Sequence, residues 1–318
     1  MPTGHSSIRI GNHLTDVSAN QQQLFTRTPN LREENTLALR QQLHEYFVTT
    51  FDRYESLFET LACDQAYYEK SIPLRHPLIF YFGHTATFFV NKLLLAHMID
   101  MRINPRFESI FAVGVDEMSW DDLNDANYQW PTPAEVKAYR DQVRAMVINL
   151  IETAPLQLPV DWNNPWWAII MGIEHERIHL ETSSVLIRQH KLAYVKNHPQ
   201  WKPFRETGVA PVNELIKVAA GSVHLGKDKS NPFYGWDNEY GTHSANVTEF
   251  QASKFIVSNQ EFFEFVEAGG YKNKNYWEEE GQGWLAFTRA QHPTFWLKKN
   301  SHWYLRLMTE EVVMPWDW

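Results

Sequence analysis

The chain has 318 residues, 43% hydrophobic and 21% charged, the proportions of a globular protein long enough for two domains. Its formal net charge of −9 argues against a nucleic-acid partner, which would need a basic face. One cysteine, Cys63, excludes an internal disulfide framework and a cysteine-built zinc site, while 13 Trp supply large surfaces for a core.

Residues 1–34 are polar and irregular, an expected leader lying over the surface. They lack the apolar stretch of a signal peptide, and no run of about 18 apolar residues follows, so a cytoplasmic protein without a spanning helix is expected. From Asn35 a helical period begins: Leu39, Leu43, Phe47, Tyr54, Phe58 and Leu61 recur at spacings of three, four and seven. A second helix is expected from near Pro77 through LIFYFGHTATFFVNKLLLAHMI, apolar nearly all round and hence deeply buried. The mixed segment from Asp100 to Pro131, with its acidic run DEMSWDDLNDAN, reads as a long connection with short helical turns. Thr132, Pro133 and Glu135 form a capping-box start, and Val136, Tyr139, Val143, Met146 and Leu150 mark the face of a third helix. A fourth is expected from Asn164-Pro165 to about His190. Four such helices over 35–195 predict a four-helix bundle.

The stretch 196–210, which holds most of HPQWKPFRETGVAP, reads as a linker. Beyond it, 211–318 is mixed and loop-rich, with short strands at Leu215–Val218 and Ser222–Leu225 and one helix at Asn259–Ala268 capped by Ser258. The GWDNEYG segment, Gly235–Gly241, reads as a turn shaped by Asp and Asn rather than as a substrate site.

The chemistry concentrates on the fourth helix, in GIEHERIHLETSSVLIRQ. His175 and His179, spaced i, i+4, project from one face one turn apart. That face also carries Ala168, Met171, Gly172, Thr182 and Leu186, so it points inward, where unsatisfied imidazoles are costly. A shared metal ion would satisfy them. The second helix offers His84 between Phe80 and Phe88, with Gly83 allowing close approach, as a third ligand, and His97 is the alternative. His44, His76 and His190 read as structural or exposed. A lone buried histidine is more often a hydrogen-bonded core residue than a ligand, so the pair carries the argument. Imidazoles suit Fe, Zn and Ni alike. The same residues match H-E-x-x-H, in which Glu176 would act as a general base beside zinc. The extended pattern fails, with Thr182 and Val185 in its later positions, and a downstream glutamate ligand such as Glu206 would lie past the expected domain boundary.

GHTATFFVNKL, EHERIHLETSSVLIRQ, PFYGWDNEYG, SNQEFFEFVEAGGY and MPWDW, in this order, resemble the sulfoxide synthases of thiohistidine biosynthesis, and among them the 5-histidylcysteine sulfoxide synthases of the ovothiol pathway. The resemblance runs from about residue 35 to the end. It implies a DinB-like helical bundle followed by a mixed α/β, C-type-lectin-like domain of the formylglycine-generating-enzyme type. It further implies a mononuclear non-haem Fe(II) on His84, His175 and His179, with cysteine, histidine and O2 as small-molecule substrates and neither nucleic acid nor membrane as partner. Ergothioneine-type synthases carry Gln just before the last ligand; Ile178 stands there, which favours the branch using free histidine. The alternative implied by the bundle is a three-histidine protein of thiol transfer without O2 chemistry.

Against the family pattern the chain stops mid-domain at MPWDW. Residues 211–318 are therefore expected to form an incomplete domain with uncovered apolar groups, Trp316 and Trp318 at its raw end, and the metal site is expected to be more complete than the reaction site. Arg75, Arg106 and Arg177 are substrate-binding candidates by position alone.

Overall fold

The structure, a computed structural model, describes residues 26–112 and 128–318. The acidic run 116–127 and most of the expected leader lie outside the described residues.

Four long helices form the bundle: α1 Thr36–Phe58, α3 Leu78–Leu95, α5 Pro133–Thr153 and α6 Trp167–Gln189, with short α2 Gln65–Tyr68 and α4 Pro105–Ile110 in the connections. Each start has a local cause. The Asn35 side chain accepts from the N–H groups of Leu37 and Ala38, and Thr132 and Glu135 complete the anticipated capping box. Around the bundle the neighbours run α1, α6, α3, α5 and back to α1, so the second and fourth predicted helices, α3 and α6, lie side by side. Phe47, Phe51, Phe89, Val143, Ile169 and Ile173 meet at its centre, fully shielded from water.

Helix α3 stops at Leu95, earlier than its apolar pattern suggests. His97 takes a left-handed φ of 54°. Its N–H bonds Leu94 O, and the N–H of Met98 bonds Leu93 O, which closes the helix in a Schellman motif. Contrary to the sequence expectation, Leu78–Leu95 is by length and composition apolar enough to cross a membrane; 72% of it is buried in the bundle. His84, Asn91 and Lys92 interrupt a strictly apolar run, which hid the property from a residue count. Helix α6 starts at Trp167, after a turn in which Asn164 accepts from Trp166 N through its side chain and from Trp167 N through its carbonyl.

The region beyond 211 is built of small antiparallel sheets. β1 Leu215–Val218 pairs with β4 Phe250–Ser253, and β2 Gly221–Leu225 with β3 His243–Val247, as nested hairpins. β5 Trp296–Lys299, β6 His302–Arg306 and β7 Glu311–Val313 form a meander. Helix α7 Asn259–Glu267 has Ser258 as N-cap, as expected. A second helix, α8 Glu279–Thr288, was not anticipated. Gly281 and Gly283 weaken its intrinsic propensity, and no side chain caps its start. The local core gathers on Trp296, Leu305 and Met314, with Trp316 packed on Phe263 at 4.9 Å between ring centroids. Leu215, Ile216, Val223, Leu225 and Phe250 on the nested hairpins remain exposed. Trp316 and Trp318 do not hang free: the Trp318 indole donates to Glu206 O at 2.7 Å.

The two regions touch. Leu31, placed by its sequence in a surface leader, is instead buried; its N–H reaches Pro232 O and its carbonyl accepts from Val160 N. Tyr234 packs on Trp167, ring centroids 4.8 Å apart, and Arg188 Nε donates to Arg306 O at 2.7 Å.

Candidate metal centre

His84 sits at the middle of α3, and α6 presents His175 and His179 one turn apart. The three donor nitrogens lie within 4.8 Å of one another. His84 Nε2 is 3.2 Å from His175 Nε2, which is 3.1 Å from His179 Nε2. Nitrogens bound to one ion at about 2.0–2.1 Å and near-right angles would lie about 3 Å apart. The cluster has that scale.

The close approach of the helices is written in two glycines. A Cβ on Gly172 would lie 2.3 Å from the Phe89 ring, so α6 is seated against α3 only because that atom is missing. A Cβ on Gly83 would lie 2.4 Å from the Phe111 ring. Phe111 thereby comes near enough for its carbonyl to accept from His84 Nδ1 at 2.7 Å. A carbonyl only accepts, so Nδ1 donates to it, and in the Nδ1–H tautomer the Nε2 lone pair faces the other two histidines. A backbone carbonyl behind a ligand histidine is the usual support of a metal site.

Aromatic rings wall the cluster. Phe88 lies flat on His175, centroids 3.7 Å apart and 8° from parallel; Phe80 stacks on His84 and Tyr81 leans on His179. Burial, followed by the charge His84 would carry, pushes His179 down to about 3, and burial with the neighbouring histidines and Lys92 drives His175 lower still. Both rings are therefore neutral donors at neutral pH. His175 Nδ1 is buried without a hydrogen-bond partner among the described residues. Three imidazoles whose nitrogens converge, one supported from behind by a backbone carbonyl, are a donor set that fits a borderline divalent ion.

Other candidates fall elsewhere. His97 closes α3 and is not part of the cluster. His44 faces Glu152, His76 stacks on Phe80, and His190 Nε2 contacts Ala66 O at 2.8 Å. Glu206 is exposed, its carbonyl held by Trp318. Glu176 points away from the histidines into the core, where Arg140 Nη2 donates to it at 2.8 Å with both side chains fully buried, so it is not placed as a base beside a metal. Thr182, expected on the inward face, is exposed; its hydroxyl lies 3.5 Å from His179 Nδ1, at the margin of the cluster. Arg177 turns to α1, bonding Thr50 and covering Tyr46, and Arg106 bonds Gln129 O. Arg75 is exposed, near enough to Tyr81 to influence its hydroxyl. Asp237–Glu239 form a single 3-10 turn, as the GWDNEYG reading expected.

Sequence reasoning missed the Phe111 carbonyl and Arg140. A carbonyl carries no residue signal, and an arginine inside an amphipathic helix reads as surface.

Comparison with known families matches the DinB superfamily over residues 46–183 and the sulfatase-modifying factor enzyme 1-like domain over residues 202–303. The chain is thus a DinB-like helical unit followed by a unit of the sulfatase-modifying-factor type with small antiparallel sheets. Over 241 residues it is 27% identical to ergothioneine biosynthesis protein 1 of Neurospora crassa, covering 68% of this chain and 27% of that protein. It is 27% identical over 171 residues to hercynine oxygenase of Mycolicibacterium smegmatis, covering 52% of this chain and 36% of the relative. Ergothioneine biosynthesis protein 1 of Schizosaccharomyces pombe is 23% identical over 235 residues, which is 29% of its length. The matched part thus spans about a third or less of these curated relatives.

Proposed function

We propose that this chain is a sulfoxide synthase of the non-haem iron type, holding Fe(II) on His84, His175 and His179 and joining the sulfur of cysteine to an imidazole carbon of free histidine. The observation that carries the reading is the convergence of three histidine Nε2 atoms in a bundle whose relatives include hercynine oxygenase. The motif order from GHTATFFVNKL to MPWDW supports the same chemistry, and Ile178 beside His179 favours free histidine over the ergothioneine-type substrate.

Iron at this site would supply redox chemistry with O2 and lower the pKa of a thiol that binds it. The chain's own residues have narrower duties. Burial keeps His175 and His179 unprotonated, so the ligands bring no charge of their own and the ion keeps its full attraction for a thiolate. The Phe111 carbonyl holds His84 in the donor tautomer. Phe80, Tyr81 and Phe88 pack against the rings of His84, His179 and His175. The reaction balances without an added reductant. The thiol loses its hydrogen, the imidazole loses one carbon-bound hydrogen, one oxygen atom ends on sulfur, and the other leaves as water.

The test is anaerobic loading of the chain with Fe(II), titration with cysteine, and then O2 uptake with histidine or hercynine as co-substrate. Cysteine should perturb the iron spectrum, and whatever O2 is consumed should depend on the imidazole co-substrate, with histidine preferred over hercynine. Thiol binding without O2 uptake would favour thiol transfer instead. Preference for hercynine would move the chain to the ergothioneine branch.

A further inference from the structure

Behind the histidines lies a polar cluster to which every long helix contributes. Arg140 on α5 is fully buried and spends its guanidinium on four acceptors: Nε on Glu55 Oε1 of α1 at 3.0 Å, Nη1 on Phe82 O and Thr85 Oγ1 of α3 at 3.0 and 2.8 Å, and Nη2 on Glu176 Oε1 of α6 at 2.8 Å. The Thr85 hydroxyl donates to the same Glu176 oxygen at 3.1 Å. The guanidinium also lies 4.2 Å from the centroid of the Phe51 ring.

Burying such charges is expensive, and well-packed apolar residues often serve stability as well, so retention of a buried pair points to a role in specifying geometry. The position of the cluster says which geometry. Thr85 follows His84 and Glu176 follows His175. Successive side chains on a helix are turned by about 100°. At one level of the bundle, α3 and α6 therefore meet twice, in the Thr85–Glu176 hydrogen bond toward the core and in the approach of His84 Nε2 to His175 Nε2 toward the cluster. The hydrogen bonds of Thr85, Glu176 and Arg140 hold the rotation of both helices, and that rotation sets where the adjacent His84 and His175 rings meet.

We infer that Arg140, Thr85 and Glu176 are positioning residues which set the angle at which His84 and His175 present their nitrogens to a metal ion. The inference rests on the metal reading of the three histidines. It predicts that disturbing the cluster changes how the site binds metal and not only how stable the fold is.

Co(II) titration of the full chain tests it, followed by its visible ligand-field bands, with thermal unfolding in parallel. Thr85→Val removes one hydroxyl and no charge, and Arg140→Lys keeps the charge but loses the fork. Each should weaken Co(II) binding by about tenfold or more, the usual effect of losing a support behind a ligand, and shift the bands. Glu176→Gln, which keeps an oxygen acceptor, should stay nearer the wild type. Ile151→Ala, a buried change remote from the site on α5, should lower the unfolding midpoint with Co(II) affinity and bands unaltered. Should Arg140→Lys not fold, Thr85→Val decides alone. Variants that lose stability yet bind Co(II) within threefold of the wild type, with the same bands, would show the cluster to be structural only. A wild-type chain that binds no Co(II) would overturn the metal reading and this inference together.

Discussion

His84 Nδ1 donates to the backbone carbonyl of Phe111 across 2.7 Å, and it does so because Gly83 leaves room for the Phe111 ring. One missing Cβ on α3 thus sets the tautomer of a histidine beside it. Gly83→Ala should force Phe111 outward, since the new methyl would lie 2.4 Å from its ring. The expected cost is about 1–3 kcal/mol of stability, typical of overpacking. Metal affinity should fall as well, because the carbonyl leaves His84. Unchanged metal affinity in a destabilised Gly83→Ala protein would show that the carbonyl does not govern the ligand.

Each histidine of the cluster should matter for metal content. His84→Ala, His175→Ala and His179→Ala are each expected to lose most bound iron after reconstitution, measured by elemental analysis against protein concentration. Loss in the two α6 variants alone would remove His84 from the ligand set. The wild-type chain should also gain thermal stability on loading, since an ion that binds only the folded state stabilises it by mass action.

Acid should weaken the metal-free protein. His175 and His179 are held below the ordinary imidazole range by burial and by the neighbouring rings, His179 to about 3. Unfolded, both take up a proton near pH 6.5. Between about 6.5 and the folded values the unfolded chain binds more protons, so stability is complete above that window and declines as pH falls through it. The unfolding midpoint of the metal-free chain should drop from pH 7 to pH 4.5, and His179→Leu should flatten the slope. A midpoint indifferent to pH in this interval would contradict the buried, neutral state of these rings.

The Arg140–Glu176 pair should show the asymmetry of buried ions. Arg140→Met leaves Glu176 without its cation and should cost about 3–5 kcal/mol in chemical denaturation. The double variant Arg140→Met with Glu176→Met should recover much of that loss, because no charge is then buried alone. A double variant as unstable as the sum of the two single changes would show that Arg140 and Glu176 contribute independently, with no coupling between the charges.

Much of this was legible in the chain because it depends on neighbours in sequence. Thr132 and Glu135 are three residues apart, and their capping box forms within one helical turn. The i, i+4 spacing of His175 and His179 places both rings on one face of α6 whatever surrounds it. Local geometry likewise made Ser258 a cap and the strand at Leu215–Val218 readable.

What required the tertiary structure is every relation that crosses helices. His84 was one of several histidines until packing of α3 on α6 brought its Nε2 to 3.2 Å from that of His175, while His97 turned away to end its helix. Glu176 carried the pattern of a general base until the rotation of α6 sent it to Arg140, 36 residues distant in the chain. Periodicity states which residues share a face, but the depth and angle at which two faces meet depend on side-chain volumes from both, here on the absent Cβ atoms of Gly83 and Gly172. The sequence by itself determined the four long helices of the bundle and the paired histidines. The packing decided the third nitrogen, the carbonyl that orients it, and the buried charges that hold the helices at their angle.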